Sequence, residues 1–359
     1  MSAKSRCGAM KWYLSLGLTL VMFCVMFSAA EADQKAKVYN WKFLAVAPDM
    51  HPNGKILIEA FKRIESRTNG QLKIQFVNFM QTPYKADEAL RVVRDGLADG
   101  VSMLCGYNTT DAPLLGATEL PFLQLTFEKN YHTFYEIVDK VWNHPEVDKR
   151  VQKVWDQFDA VPVGRINWGI NEIFGRSEIS KPADLSGKQI REYSPEGAET
   201  LKALGGSAAV LTGAEVYPAL QRGVADGFIS SCQSAQLLKW FEVSKSLYVV
   251  HWKGGSSFFL YNKSKLNSLP PDFRKILIEE HQVAAKAIND FTTNFIPKCE
   301  EFMSGQTGWT VNYVTQEEYT QLRKIARQNA WSNWIKRVGP EGGAMLNYCL
   351  EAIGDSERF

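Results

Sequence analysis

Apolar and polar residues alternate in short blocks along the chain, and the period of the blocks changes in a regular order. Residues 39–46 (YNWKFLAV) are rich in aromatic and branched side chains and predict a strand that ends at Pro48. Residues 51–67 carry Ile56, Ile58, Phe61 and Ile64 at helical spacing and close on Asn69-Gly70, which suits a helix C-terminus. A strand over 71–77, a helix over 86–95 and a strand over 101–105 follow. The order then returns: helix over 195–204, stop at Gly205-Gly206, strand over 208–211. Thr212 and Glu215 form a capping box for a helix running to Arg222, because each side chain can satisfy a free N–H at its start. Phe228 and Ile229 open another strand. Both halves share a turn, GLADG at 96–100 and GVADG at 223–227, each between a helix and a strand. The pattern predicts an α/β protein with two lobes of similar construction.

Two lobes need connections. Residues 161–173, and residues 247–252 continuing after Gly254-Gly255 into 258–261, are strand-like and suit hinge strands. From Pro271 the pattern turns helical (Phe273, Ile276, Ile278, Val283, Ile288) up to an expected kink at Pro297, long enough to bridge both lobes. Another amphipathic helix is expected over 319–338, broken by Gly339-Pro340. The expected division is 33–163 plus about 247–285 for lobe I, and 164–246 plus about 286–359 for lobe II. Within it, residues 185–233 place one arginine, Arg191, on an apolar strand just ahead of a helix, strand, helix, strand run. A small anionic ligand is expected to be gripped there.

Composition changes this picture in two places. Lys4, Arg6 and Lys11 precede the apolar run 12–27, and Ala30-Glu31-Ala32 has small residues at cleavage spacing, so residues 1–32 read as a secretory signal peptide and the mature chain as periplasmic. Its loss removes three basic residues and one acidic residue from totals of 41 and 39, which leaves a formally neutral protein. Neutrality argues against a nucleic-acid or anionic-membrane binder, either of which needs a clustered basic surface. Of six cysteines, Cys7 and Cys24 leave with the signal. Cys299 with Cys349 is the candidate disulfide among the four that remain, with buried free thiols as the alternative.

Signatures of catalysis are missing. The five histidines form no HExxH, and no GxSxG elbow, Walker A loop, GxGxxG or CxxC occurs. A secreted enzyme built on distant partners, or a ligand-sensing module, stays open as an alternative. A pair of α/β lobes otherwise suits closure around a small molecule.

The motifs DLSGKQIR (184–191), LKALGG (201–206), AEVYPALQRGVADG (214–227), RTNGQLKI (67–74) and ELPFL (119–123) together resemble the periplasmic solute-binding proteins of TRAP transporters, the DctP-like family. The resemblance covers nearly all of the mature chain. It implies a two-lobed periplasmic binding protein fold with hinge strands and a long C-terminal helix spanning both lobes. It also implies an organic acid as ligand, TRAP membrane subunits as partners, a monomer, and neither cofactor nor enzymatic activity. By the same resemblance Arg191 pairs with the ligand carboxylate, for which a guanidinium fork offers two parallel donors.

Departures from the family pattern bear on the ligand. Ser230 stands where an asparagine is frequent and Gly213 where a bulkier residue is common, which implies a roomier pocket. Ile170-Asn171 lacks the further arginine of the sialic-acid branch. The segment HWKGG (251–255) resembles the 2-keto-acid branch, but Ile229 and Lys253 stand where that branch supplies acidic metal ligands, so no metal is expected. Lys253 is either a second positive charge for the ligand or a solvated lysine at a turn. Trp168 and Tyr107 are the preferred aromatic contacts ahead of Phe174, Tyr193 and Trp240, and Asn171 is expected to donate a side-chain hydrogen bond.

Overall fold

The computed structural model describes residues 37–124, Phe127 and residues 131–359, so the expected signal peptide lies outside the described residues. The chain begins with strand β1 (Tyr39–Ala45), helix α1 (Pro52–Arg67), β2 (Leu72–Asn78), α2 (Ala89–Arg94) and β3 (Gly100–Leu104). Helices α3 (Tyr131–Trp142) and α4 (Pro145–Gln157), not anticipated from the sequence, lead into the 16-residue strand β4 (Ala160–Gly175). Alternation resumes with β5 (Gln189–Glu192), α5 (Pro195–Ala203), β6 (Ser207–Val210), α6 (Gly213–Gln221), β7 (Gly227–Ser231) and α7 (Cys232–Leu237). The 17-residue strand β8 (Ser246–Asn262) precedes α8 (Lys263–Asn267), α9 (Pro271–Ser304), β9 (Thr310–Tyr313), α10 (Gln316–Ala326), α11 (Ser332–Val338) and α12 (Pro340–Ala352).

These strands make one sheet in the order β2-β1-β3-β8-β4-β7-β5-β6, with β9 added to β8. Strands β1 and β3 pair in parallel on one side, and β5 pairs in parallel with both β6 and β7 on the other. Between them β4 and β8 run antiparallel from Ala160 opposite Asn262 to Gly175 opposite Ser246. Both anticipated hinge strands are therefore present, and the two runs flanking Gly254-Gly255 are one strand. Its burial is nearly complete, as expected where both faces are covered. Residues 40–359 form one compact unit.

Helix α9 spans 34 residues and packs on α1, β4 and α7, so it touches elements on both sides of the central strand pair. Pro297 lies inside it without ending it. Arg63 and Arg67 of α1 clasp Glu280 of α9 at 2.6 and 2.8 Å. The buried stripe of α1 is Leu57, Ala60, Phe61 and Ile64, a spacing of three and four residues. Ile56 and Ile58 are only partly covered, so the inward face is rotated from the one the sequence suggests.

Two further expectations need correction. The helix foreseen over 319–338 is divided by a π-turn at Arg327–Trp331. Around this division Trp331 and Trp334 donate from their indole N–H groups to the carbonyls of Pro121 and Pro113 at 3.0 and 3.1 Å. The disulfide joins Cys232 to Cys299, not Cys299 to Cys349. Cys232 and Cys299 share a hydrophobic cluster with Phe228, Trp240 and Met303, whereas Cys349 is buried in another with Leu346, Leu350 and Trp331. Cys105 and Cys349 are free and buried. Among the described residues no helix is long and apolar enough to cross a membrane.

Candidate functional site

A cavity of about 580 Å³ opens beside the middle of the β4–β8 pair. Its walls include the β1–α1 loop (Val46, Ala47, Pro48, His51), the turn after β2 (Phe79, Met80) and the N-terminus of α6 (Thr212, Gly213, Ala214). Concave sites of this size, apolar with a few convergent polar groups, are typical of small-molecule pockets.

Arg191 stands on β5, between two parallel neighbours, and is 1% exposed. Carbonyls on both sides of it receive its guanidinium: Nε donates to Leu211 O, just after β6, at 2.9 Å and Nη1 to Ile229 O, within β7, at 3.1 Å. The group also lies 5.6 Å from the centre of the Tyr193 ring. Among the described residues Nη2 has no hydrogen-bond partner, and Arg191 lines the cavity. One arm of the fork is thus fixed by the fold while the other is available.

Trp168 and Asn171 both line the cavity, although residues three apart on a regular strand face opposite ways. The β4–β8 register shifts between them, a bulge-like irregularity of the kind that re-aims side chains. The Trp168 indole N–H donates to Ser257 Oγ at 2.8 Å, which leaves its ring face as the contact surface. Asn171 Nδ2 donates to Tyr193 Oη at 3.0 Å and to Lys253 O at 3.2 Å, so what it has left is the Oδ1 acceptor rather than the donor anticipated. Tyr107 also lines the cavity, and its hydroxyl accepts the Gly213 N–H at 2.8 Å. A Cβ on Gly213 would lie 3.4 Å from that hydroxyl and 3.7 Å from Trp240, which is ordinary contact distance. Ser230 lines the wall beside Ser231 and Ser234.

Lys253 is placed differently from either sequence reading. It is 1% exposed, so it is not a solvated lysine, and it does not line the cavity. Its ammonium sits 4.0 Å from the Tyr193 ring centre, donates to Ser194 Oγ at 2.6 Å, and is 3.0 Å from Glu192 and 3.6 Å from Glu119. Glu196 completes the cluster, held by Arg337 at 2.6 Å and by the Thr109 hydroxyl at 3.0 Å. Burial pushes the Glu119 carboxyl up to about 7, with Glu196 and Glu192 adding to the rise and Lys253 opposing it. The cation answers buried carboxylates behind the cavity wall. Among the described residues no three histidine, cysteine, aspartate or glutamate side chains converge to hold a metal ion.

Of the aromatic residues ranked second, Tyr193 and Trp240 line the cavity, while Phe174 is stacked on Phe228 in the core at 4.6 Å. Sequence reasoning passed over His51. It precedes Pro52 at the start of a helix, and its imidazole Nδ1 accepts the Asn53 N–H at 3.1 Å as an N-cap. The position is fixed by close packing of the preceding loop: a Cβ on Gly54 would lie 2.2 Å from Pro48 O. Burial lowers His51 to about 4, so the ring is neutral.

The model of the DctP family, bacterial extracellular solute-binding protein family 7, matches residues 43–337. The chain belongs to this family. Among curated relatives of this family member, the uncharacterized protein YiiZ of Salmonella typhimurium is 27% identical over 251 residues, 69% of this chain and 72% of that one. The 2,3-diketo-L-gulonate-binding periplasmic protein YiaO of Escherichia coli is 25% identical over 226 residues, 62% of this chain and 65% of its own length. A TRAP periplasmic solute-binding protein from Ralstonia eutropha H16, solved with bound (S)-2-acetolactate, superposes with a TM-score of 0.79 at 22% identity. That match covers 88% of this chain and 98% of the other. DctP7 of Bordetella pertussis, a receptor binding pyroglutamic acid, gives 0.76 at 20% identity over 87% and 99% of the two chains. The family member therefore has the two-lobed α/β fold of those solute-binding proteins.

Proposed function

We propose that this solute-binding protein captures an organic acid outside the cytoplasm, in the periplasm, and delivers it to the membrane subunits of a TRAP transporter. The observation that carries the proposal is Arg191: a buried guanidinium in the cavity wall whose Nε and Nη1 are anchored by carbonyls and whose Nη2 has no hydrogen-bond partner among the described residues. A ligand carboxylate supplies the missing acceptor and the opposite charge. The ligands named for similar proteins, acetolactate, pyroglutamate and diketogulonate, are all carboxylic acids, which supports this class.

The mechanism is closure of the two lobes about β4 and β8, with lobe I taken as 33–163 plus about 247–285 and lobe II as 164–246 plus about 286–359. Carboxylate binds Arg191 and the hydroxyls near Ser230 on one side, and the β1–α1 loop completes the site from the other. Ligand favours the closed form only through contacts it makes better there.

The test is a thermal-shift screen of the mature chain against monocarboxylates, dicarboxylates, keto acids and aromatic acids, followed by calorimetry on Arg191→Ala. A true ligand at about 100 times its dissociation constant stabilises the fold by roughly 2.7 kcal/mol. Removing Arg191 weakens it by roughly 2–5 kcal/mol, the scale for breaking a buried charge pair. Unchanged affinity in a folded Arg191→Ala protein rules out this site.

A further inference from the structure

We infer that His51 donates a hydrogen bond from Nε2 to a neutral oxygen of the ligand, so that the site takes monocarboxylates bearing a carbonyl, ether or hydroxyl oxygen away from the carboxylate, and disfavours dicarboxylates. This rests on the proposal that Arg191 holds the carboxylate. It adds the identity of the group at the other end of the ligand.

The tautomer follows from the N-cap. Nδ1 of His51 accepts the Asn53 N–H, so in a neutral ring that nitrogen has no proton and Nε2 carries it. The two ring nitrogens point in different directions, so an Nδ1 turned into the start of α1 leaves Nε2 directed away from it. Nε2 is buried and has no partner among the described residues, in a side chain that is 3% exposed and lines the cavity. Buried donors are paired in nearly all folded proteins. The imidazole lies 5.9 Å from the Trp168 ring, which presents its own face to the same cavity. The donor therefore sits beside an aromatic surface suited to the flat or apolar body of a ligand.

Charge decides between one carboxylate and two. Arg191 is the buried cation on the wall. Lys85 is on the wall too but exposed, and the Glu215 side chain accepts from the Thr212 N–H and hydroxyl. The nearby ammonium of Lys253 is behind the wall against Glu192 and Glu119. Burial keeps His51 itself neutral. A second carboxylate directed at His51 would be desolvated against one neutral donor, without a countercharge. A carbonyl or hydroxyl oxygen needs only the donor.

Calorimetry on the mature chain tests this with three probes: pyroglutamate, which has a ring carbonyl; cyclopentanecarboxylate, which lacks it; and glutarate, a dicarboxylate. The strongest oxo or hydroxy monocarboxylate of the thermal-shift screen replaces pyroglutamate, with its deoxygenated analogue, if it binds more tightly. His51→Asn is the informative variant, because asparagine remains a good N-cap while the Nε2 donor is lost. The expected result is that the oxygenated monocarboxylate binds wild type at least tenfold more tightly than either comparison acid. His51→Asn then weakens it five- to twentyfold and leaves the deoxygenated acid within twofold. Tighter binding of glutarate, or an equal loss for both monocarboxylates in His51→Asn, overturns the inference. If Arg191→Ala abolishes binding while His51→Asn changes nothing, the carboxylate grip stands and the role of His51 falls. If binding is indifferent to Arg191, both fall.

Discussion

The hydroxyl of Tyr107, just after β3, accepts a hydrogen bond from the backbone N–H of Gly213, the first residue of α6, at 2.8 Å. The partners are 106 residues apart and both line the cavity. An N–H at the start of a helix has no partner within the helix, so it is free to be used in this way. The bond joins the two sides of the candidate site directly.

Tyr107→Phe removes it and keeps the ring that meets Tyr193 edge-on at 5.7 Å. We expect ligand affinity to fall by roughly 0.5–1.5 kcal/mol, the net value of one such bond. Calorimetry on a variant with unchanged melting temperature reads this, and wild-type affinity would show that the bond plays no part in the bound state.

Arg191→Lys keeps a positive charge but not the fork. A single ammonium cannot serve the carbonyls of Leu211 and Ile229 and a carboxylate in the guanidinium geometry. Loss of roughly 1.5–3 kcal/mol of binding is expected, on the scale of one hydrogen bond to a charged group. Equal affinity would mean that charge alone suffices.

Two sets of buried groups give stability opposing dependences on pH. Burial lowers His51 and His281 to about 4 and His251 to about 3, so the unfolded chain binds protons that the fold refuses, and stability is lost as pH falls below 6.5. Glu119, raised to about 7 from 4.5, acts in the opposite sense: its contribution is complete below 4.5 and is lost as pH rises toward 7. Glu172, Glu196 and Glu199, raised by burial as well, act in the same sense as Glu119. Glu119→Gln removes one of these losses, so between pH 4.5 and 7 its melting temperature should rise relative to that of wild type. A difference between the two proteins that does not change with pH contradicts this assignment.

Reduction of the Cys232–Cys299 bridge, which closes a separation of 67 residues, should cost about 2–4 kcal/mol. Denaturant unfolding with and without reductant measures it. The Cys232→Ser/Cys299→Ser double variant should show the same loss and no further response to reductant, whereas Cys349→Ala should respond as wild type does.

Much of the fold was legible because it is local. Helical spacing marked α1, the capping box marked α6, and branched runs marked β4 and β8; each signal lies within a few residues of its element. Helices α3 and α4 were overlooked, although Val147, Val151, Val154 and Trp155 recur at three- and four-residue steps and form the buried face of α4. The disulfide was misassigned because the C-terminal helices turn Cys299 and Cys349 into different hydrophobic clusters.

By itself the sequence determined the α/β alternation, the two long connecting strands and the strand position of Arg191, since periodicity and turn chemistry act over short distances. Tertiary structure decided which polar groups meet. The bulge between Trp168 and Asn171 brings both to one cavity. Packing of Pro48 against Gly54 sets His51 beside Trp168. Burial against Glu192 and Glu119 withdraws Lys253 from the wall. Each outcome depends on partners tens to hundreds of residues away, and the desolvation that gives such contacts their strength exists only once the chain has closed around them.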